Sequence, residues 1–157
     1  VFNNRKSNPK IKLNNFSENR LALFVDYSSY PVVRQNNFKV TTEGARIGIY
    51  QSADWEKRSG SKQLVMKKAQ ERGSKNAMLG QAPTKYIDVV DLSENWWGEH
   101  TPKLNSTLAG QNSSFFYDRK DEPTVTYEGF GPDSYRLDEI RFLPLLTAPV
   151  TGTGPAQ

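Results

Sequence analysis

The chain contains no cysteine and a single histidine, His100. Without cysteine there is no disulfide framework, no thiolate nucleophile and no cysteine-ligated zinc. A Ser–His–Asp triad would have to recruit His100. Apolar residues are scarce, at 36% of the chain, and mean hydropathy is −0.71. That is low for an enzyme core and suits a β-rich domain with much polar surface. No long apolar run occurs, so no membrane-spanning helix is encoded and no membrane partner is expected. No methionine opens the chain and no signal peptide is legible, which reads as a processed chain or an excised module. A dominant charge sign is also missing. The 21 Lys and Arg are interspersed with 17 Asp and Glu, for a net charge of +4. Such an excess favours anionic partners only mildly and reads first as surface solubility.

What is present suggests one domain of 157 residues, long enough to bury about 68–70% of its unfolded surface. Residues 1–20 are Asn-rich and basic and read as an extended arm, with a short strand at 11–13. Residues 147–157 form an equally linker-like tail. Order in such arms would require partners to hold them. Residues 21–146 read as a single β-sandwich. Leu21, Leu23 and Val25 alternate with Ala22 and Phe24, so a strand at 20–29 is apolar on both faces and therefore central. Residues 36–42 and 45–51 read as a hairpin across Glu43-Gly44. One helix is expected at about 61–72, capped by Ser61 and ended by Gly73 in a left-handed conformation. Strands are expected at 85–92 and 113–118 and twice near the C-terminus, with a turn or strand end at 95–100. Seven or eight short strands without βα alternation predict a mostly β, jelly-roll-like antiparallel β-sandwich with one short helix in a connection. We read no internal repeat and no second domain.

The stretch from Thr124 to Leu146 carries one firm constraint. Tyr135 and Leu137 share one strand face, while Ile140 and Phe142 share the other. A strict two-residue period cannot place both pairs in one core. Either a bulge lies at Asp138-Glu139, or the strand is covered on both sides.

Candidate chemistry is thin. His100 lies in a polar turn. Asp88, Asp91 and Glu94 recur every three residues and would line one face of a helix, but the local pattern is a strand, which scatters them. Glu128, Asp133, Asp138 and Glu139 include material for an acid–base pair, with nothing to fix a separation. A structural calcium held by residues 131–134 or 91–95 is the one cofactor weighed; no catalytic residue is assigned. Trp96-Trp97 is the most informative dipeptide. Neighbours in a strand point to opposite faces, so one Trp should enter the core and the other face a ligand or partner. Tyr117, Tyr127 and Tyr135 would extend that surface. Lys67, Lys68, Arg72 and Lys75 form a basic patch. With the basic arm it would suit nucleic acid, although no recognition motif accompanies it.

Two resemblances concern the last strands. Val125-Thr126-Tyr127, Gly131-Pro132-Asp133, Tyr135 to Phe142 and Pro144 together resemble the closing strands of picorna-like viral capsid jelly rolls. The terminal Gln157 resembles the residue after which chymotrypsin-like viral proteases cut. This implies a virion subunit or protruding domain whose partners are neighbouring copies or other subunits. Leu137 to Phe142 also resembles the final strand of carbohydrate-binding and lectin-like sandwiches, which implies glycans stacked on Trp96 or Trp97. The leading expectation is a non-enzymatic structural or surface-recognition subunit of a virion or comparable assembly, located in a virion or outside the cell. The alternative is a carbohydrate-binding module of a secreted protein.

Overall fold

The computed structural model describes residues 1–3, 7–59, 67–73, 87–108, 110–128 and 133–154, the side chains of residues 40 and 41 excepted. Strand β1 (Phe2–Asn3) pairs in parallel with β3 (Asn15–Val25). Strand β2 (Lys10–Lys12) pairs in parallel with β4 (Val32–Arg34), and β3 in parallel with β5 (Asn37–Ile47). The registers are Phe2 to Phe24, Ile11 to Val33 and Asn15 to Asn37, a constant step of 22 residues. A strand can pair in parallel with its own successor only after the chain has gone once around. The N-terminal third is therefore a pair of stacked coils, the arrangement of a β-solenoid.

The chain then leaves the stack for helix α1 (Ala53–Ser59) and a helical turn at 67–71, and returns at β6 (Val89–Asp91). Gln35 N–H donates to Glu94 O at 2.7 Å, Trp96 N–H to Asn36 O and Phe38 N–H to Trp96 O, so residues 89–97 are a third coil lying on the second. A 3-10 turn (Gly98–His100) leads into helix α2 (Thr101–Asn105), and β7 (Phe116–Tyr117) joins β5 in parallel. Strands β8 (Thr124–Thr126) and β9 (Ser134–Arg136) are antiparallel, and β10 (Glu139–Arg141) lies parallel on β6 as a fourth layer.

One corner repeats in three coils. Leu13, Gln35 and Glu94 all adopt left-handed backbone, with φ of 57°, 56° and 59°. Each is followed by an asparagine. Asn95 Oδ1 accepts from the N–H and the Nδ2 of Asn36, and Asn36 Oδ1 accepts from the N–H and the Nδ2 of Asn14, all at 3.0–3.2 Å. A left-handed conformation is unfavourable for Leu, Gln or Glu. Here the amide ladder holds it. Two residues after each asparagine comes an aromatic ring. Phe16 stacks on Phe38 at 4.8 Å and Phe38 on Trp97 at 4.2 Å, with Phe115 and Phe116 edge-on to Trp97. These rings, with Leu23, Val25, Val33, Ile47, Val90 and Leu92, form the core.

Several expectations are corrected. The fold is β-rich as read, but most pairing is parallel, and β8–β9 is the one antiparallel pair among the described residues; an antiparallel jelly-roll sandwich is not what they form. The described residues among 1–20 belong to the first coil rather than to an arm. The tail is held by the chain itself. Asn37 Nδ2 donates to Val150 O, Thr153 Oγ1 donates to Asn15 Oδ1, and Gly154 N–H donates to Leu13 O. The hairpin at Glu43-Gly44 is one continuous strand. Gly44 is there because any Cβ would collide with the Phe115 ring, a close approach that glycine permits within strands. An internal repeat exists. Other readings hold. β3 is central between β1 and β5. Gly73 has φ 65° and donates to Gln70 O, ending the helical turn as expected; residues 60–66 lie outside the described residues. The break between β9 and β10 at Leu137-Asp138 shifts the alternation by one residue, and Tyr135, Leu137, Ile140 and Phe142 are all buried.

Candidate functional site

The expected aromatic surface divides in two. Trp97 is fully buried in the ring stack, and Tyr127 and Tyr135 are buried against each other with centroids 5.3 Å apart. Packing in the ring stack claims Trp97, and packing on Tyr50 and α1 claims the two tyrosines, so all three present nothing to a ligand. Trp96 and Tyr117 remain half-buried. Trp96 sits at the corner beside Asn37, and Tyr117 lies at the other end of β5 beneath the Arg46 guanidinium, 4.2 Å from its ring centre. They form no common platform. Lys67, Lys68 and Arg72 are exposed; Lys75 lies outside the described residues.

The carboxylates spaced by three face arginines across the coils. Asp91 accepts from Arg34 of β4 and from Arg141 of β10, both at 2.7 Å. Glu94 accepts from Arg34 at 2.6 Å. Asp88 accepts from Arg119 at 2.7 Å and Arg136 at 3.0 Å, and Glu139 from Arg119 and Lys120. Burial alone would raise the Asp91 carboxyl. Hydrogen bonds from Arg141, Ser93 and Arg34 override it and hold the group far below the usual carboxylate range. The Arg119 hydrogen bond likewise lowers Asp88. An acid held this firmly ionised and bridged on both sides is a poor proton donor. In the calcium loop considered at 91–95, Asp91 and Glu94 are likewise engaged by arginines. No metal-binding cluster occurs among the described residues. Asp133 faces Arg58 at 3.3 Å, and Glu128 is exposed.

Asp138 is different. It is wholly enclosed, at 0% exposure. Its Oδ1 accepts from Ala53 N–H at 2.8 Å, and its Oδ2 from Tyr30 Oη at 2.8 Å and Gln51 Nε2 at 2.9 Å. Gln51 in turn bonds both backbone groups of Ser29. One carboxylate thus joins the turn after coil one, the start of α1 and the β9–β10 junction. Burial nevertheless pushes it up to about 6. Burial also raises Asp26, which accepts from Tyr50 N–H, and Asp118, which accepts from Ile140 N–H at 2.6 Å.

Two of the surface clefts are lined by described residues. One, of about 120 Å³, is lined by Thr42, His100, Lys103, Ser113, Ser114 and Phe115; the His100 ring lies 4.3 Å from that of Phe115. The other, of about 240 Å³, runs along β10 over Val89, Ile140 and Phe142, with Lys120, Glu139 and Arg141 at its rim.

No protein-family model matches the chain, no curated protein matches it in sequence, and no solved structure matches it in fold. No described helix is long and apolar enough to cross a membrane. The residues that organise the molecule, Asn14, Asn36 and Asn95, were missed by sequence reasoning. Their signal is Asn-Asn-Phe at 14–16 and again at 36–38.

Proposed function

We propose that this chain is a non-enzymatic structural or surface-recognition subunit of a virion or comparable assembly, working through the outer faces of a stacked coil. One observation carries this reading. Asp88, Asp91, Glu94 and Glu139, the partly accessible carboxylates on the coil faces that acid–base chemistry would need, are engaged in ion pairs that tie one coil to the next. Asp138 is enclosed. Stacked coils offer long regular surfaces to partners, and neighbouring subunits fit that geometry better than a small substrate does. The test is turnover. The purified chain is incubated with polysaccharide and glycoside substrates at pH 5 and pH 7. The expected result is none. A substrate cleaved by the chain and spared by its Asp88→Asn or Asp91→Asn variant would overturn the reading.

A carbohydrate-binding module is the second reading, supported by the half-buried ring of Trp96. Glycan-array binding that Trp96→Ala abolishes would favour it. Trp97→Ala cannot discriminate, because that ring belongs to the core.

A further inference from the structure

We propose that the cleft between β5, α2 and residues 113–115 binds a tetrahedral oxyanion, a sulfate group either free or esterified to a sugar. The inference goes beyond the assembly reading and does not depend on it.

Three segments distant in sequence meet at this cleft. Thr42 comes from β5, His100 and Lys103 from the turn into α2, and Ser113 and Ser114 from the loop before β7. His100 and Lys103 are three residues apart on helical backbone and so share a face. The loop wall is fastened to β5, where Gly44 N–H donates to Phe115 O at 2.8 Å. Phe115 is buried, and its ring lies 4.3 Å from that of His100 with 30° between the planes. The walls are thus set by the fold, and the cavity of about 120 Å³ is formed in advance of any ligand.

The lining is rich in donors. Lys103 is exposed and makes no ion pair among the described residues, whereas Arg34, Arg119 and Arg141 are all paired with carboxylates. The hydroxyls of Thr42 and Ser114 likewise bond to nothing among the described residues. Ser113 Oγ accepts from Phe115 N–H at 3.4 Å and keeps its own proton to give. No carboxylate lines the cleft. Glu99 stands outside it, its side chain 74% exposed and Oε1 3.9 Å from His100 Nε2. An ammonium, an imidazole and three hydroxyls around a small cavity suit a ligand that carries negative charge and only accepts. A sulfate group does both. Hydrogen phosphate keeps a proton that would need an acceptor, and a carboxylate brings two oxygens to donors arriving from three segments.

His100 is the one histidine of the chain, so its ring signals in a proton NMR spectrum are unambiguous. The full chain is titrated with sodium sulfate, sodium chloride and sodium acetate at matched ionic strength and pH 7. Saturable movement of the His100 signals at millimolar sulfate is expected, with acetate several-fold weaker and chloride without effect. Lys103→Gln should weaken sulfate binding roughly tenfold, and Ser114→Ala by a factor of about three to five. Lys67→Gln, on the helical turn at 67–71, should leave it unchanged. All three side chains are exposed, so folding is not at stake. N-acetylglucosamine 6-sulfate separates the two sources. Binding tighter than that of inorganic sulfate assigns an ester on a sugar, and equal or weaker binding assigns the free ion; either supports the site. No saturation, an equal response to chloride or acetate, or equal losses in Lys67→Gln and Lys103→Gln would overturn the proposal. These outcomes are independent of the turnover assay, so this inference can fail while the non-enzymatic reading stands.

Discussion

The asparagine corner and the Asp138 junction do the same task with different chemistry. In each, one buried side chain accepts several donors and ties together segments distant in sequence. The corner does it with neutral amides that both give and accept, so Asn36 satisfies the coil on either side, to Asn14 and Ile11 on one and Asn95 on the other, and the device repeats. Asp138 only accepts. It gathers Tyr30, Gln51 and Ala53 at one place and cannot propagate, and its enclosure makes its charge costly. Repetition thus goes with neutrality here, and of these two devices only the one that occurs once is sensitive to pH.

The largest expected effect breaks the neutral half. Asn36→Ala would remove the side-chain bonds to Ile11 O, Arg34 O and Asn14 N–H and leave Asn95 Oδ1 only the backbone N–H of residue 36, costing about 4 kcal/mol. Urea unfolding should give the same loss at pH 5 and pH 7. The next prediction concerns the charged half. Asp138 has an ordinary value of 3.8 and a folded value of about 6. As pH falls from 7 to 4 the native state takes up a proton before the unfolded chain does. Stability should therefore rise, by something on the order of 3 kcal/mol. Below about pH 4 it should fall again, because Asp88, Asp91 and Glu139 are lowered and lose their ion pairs when protonated. In Asp138→Asn the rise between pH 7 and 4 should shrink; an unchanged profile would show that Asp138 is not its source. Asp91→Asn should cost only about 1 kcal/mol, and less in high salt, since Arg34 and Arg141 are partly exposed. Smallest is Leu13→Asn. Asparagine tolerates left-handed backbone better than leucine, so a gain of about 0.5–1 kcal/mol in urea is expected.

Much of the local structure was legible. Alternation marked the strands, the phase change between Leu137 and Ile140 marked the interruption at Asp138, and Gly73 marked a helix end. Pairing was not legible, because alternation says that a segment is a strand and not which neighbour it meets. Asn-Asn-Phe occurs twice at the coil period. The third coil reads Asn95-Trp96-Trp97 and arrives 59 residues after its predecessor, so a search at fixed spacing finds two units where a solenoid usually needs three. Gly44 was misread because glycine marks both turns and close approaches, and only the Phe115 ring separates the two. The tyrosines failed for a related reason. Tyr127 and Tyr135 have the amphipathic character of interface residues, and their burial depends on Tyr50 and on Trp55 and Arg58 of α1, far from both in sequence.

Both ends of the described chain are fastened to the first coil, Val1 through Ala22 O and Gly154 through Leu13 O. A tension applied between them would therefore load that coil first and peel it from its neighbour instead of shearing the whole stack. Each 22-residue turn released in this way would lengthen the chain by about 75 Å. Held in an optical trap, the molecule should yield from one side with a first step of that size, and the asparagine corner would set its force.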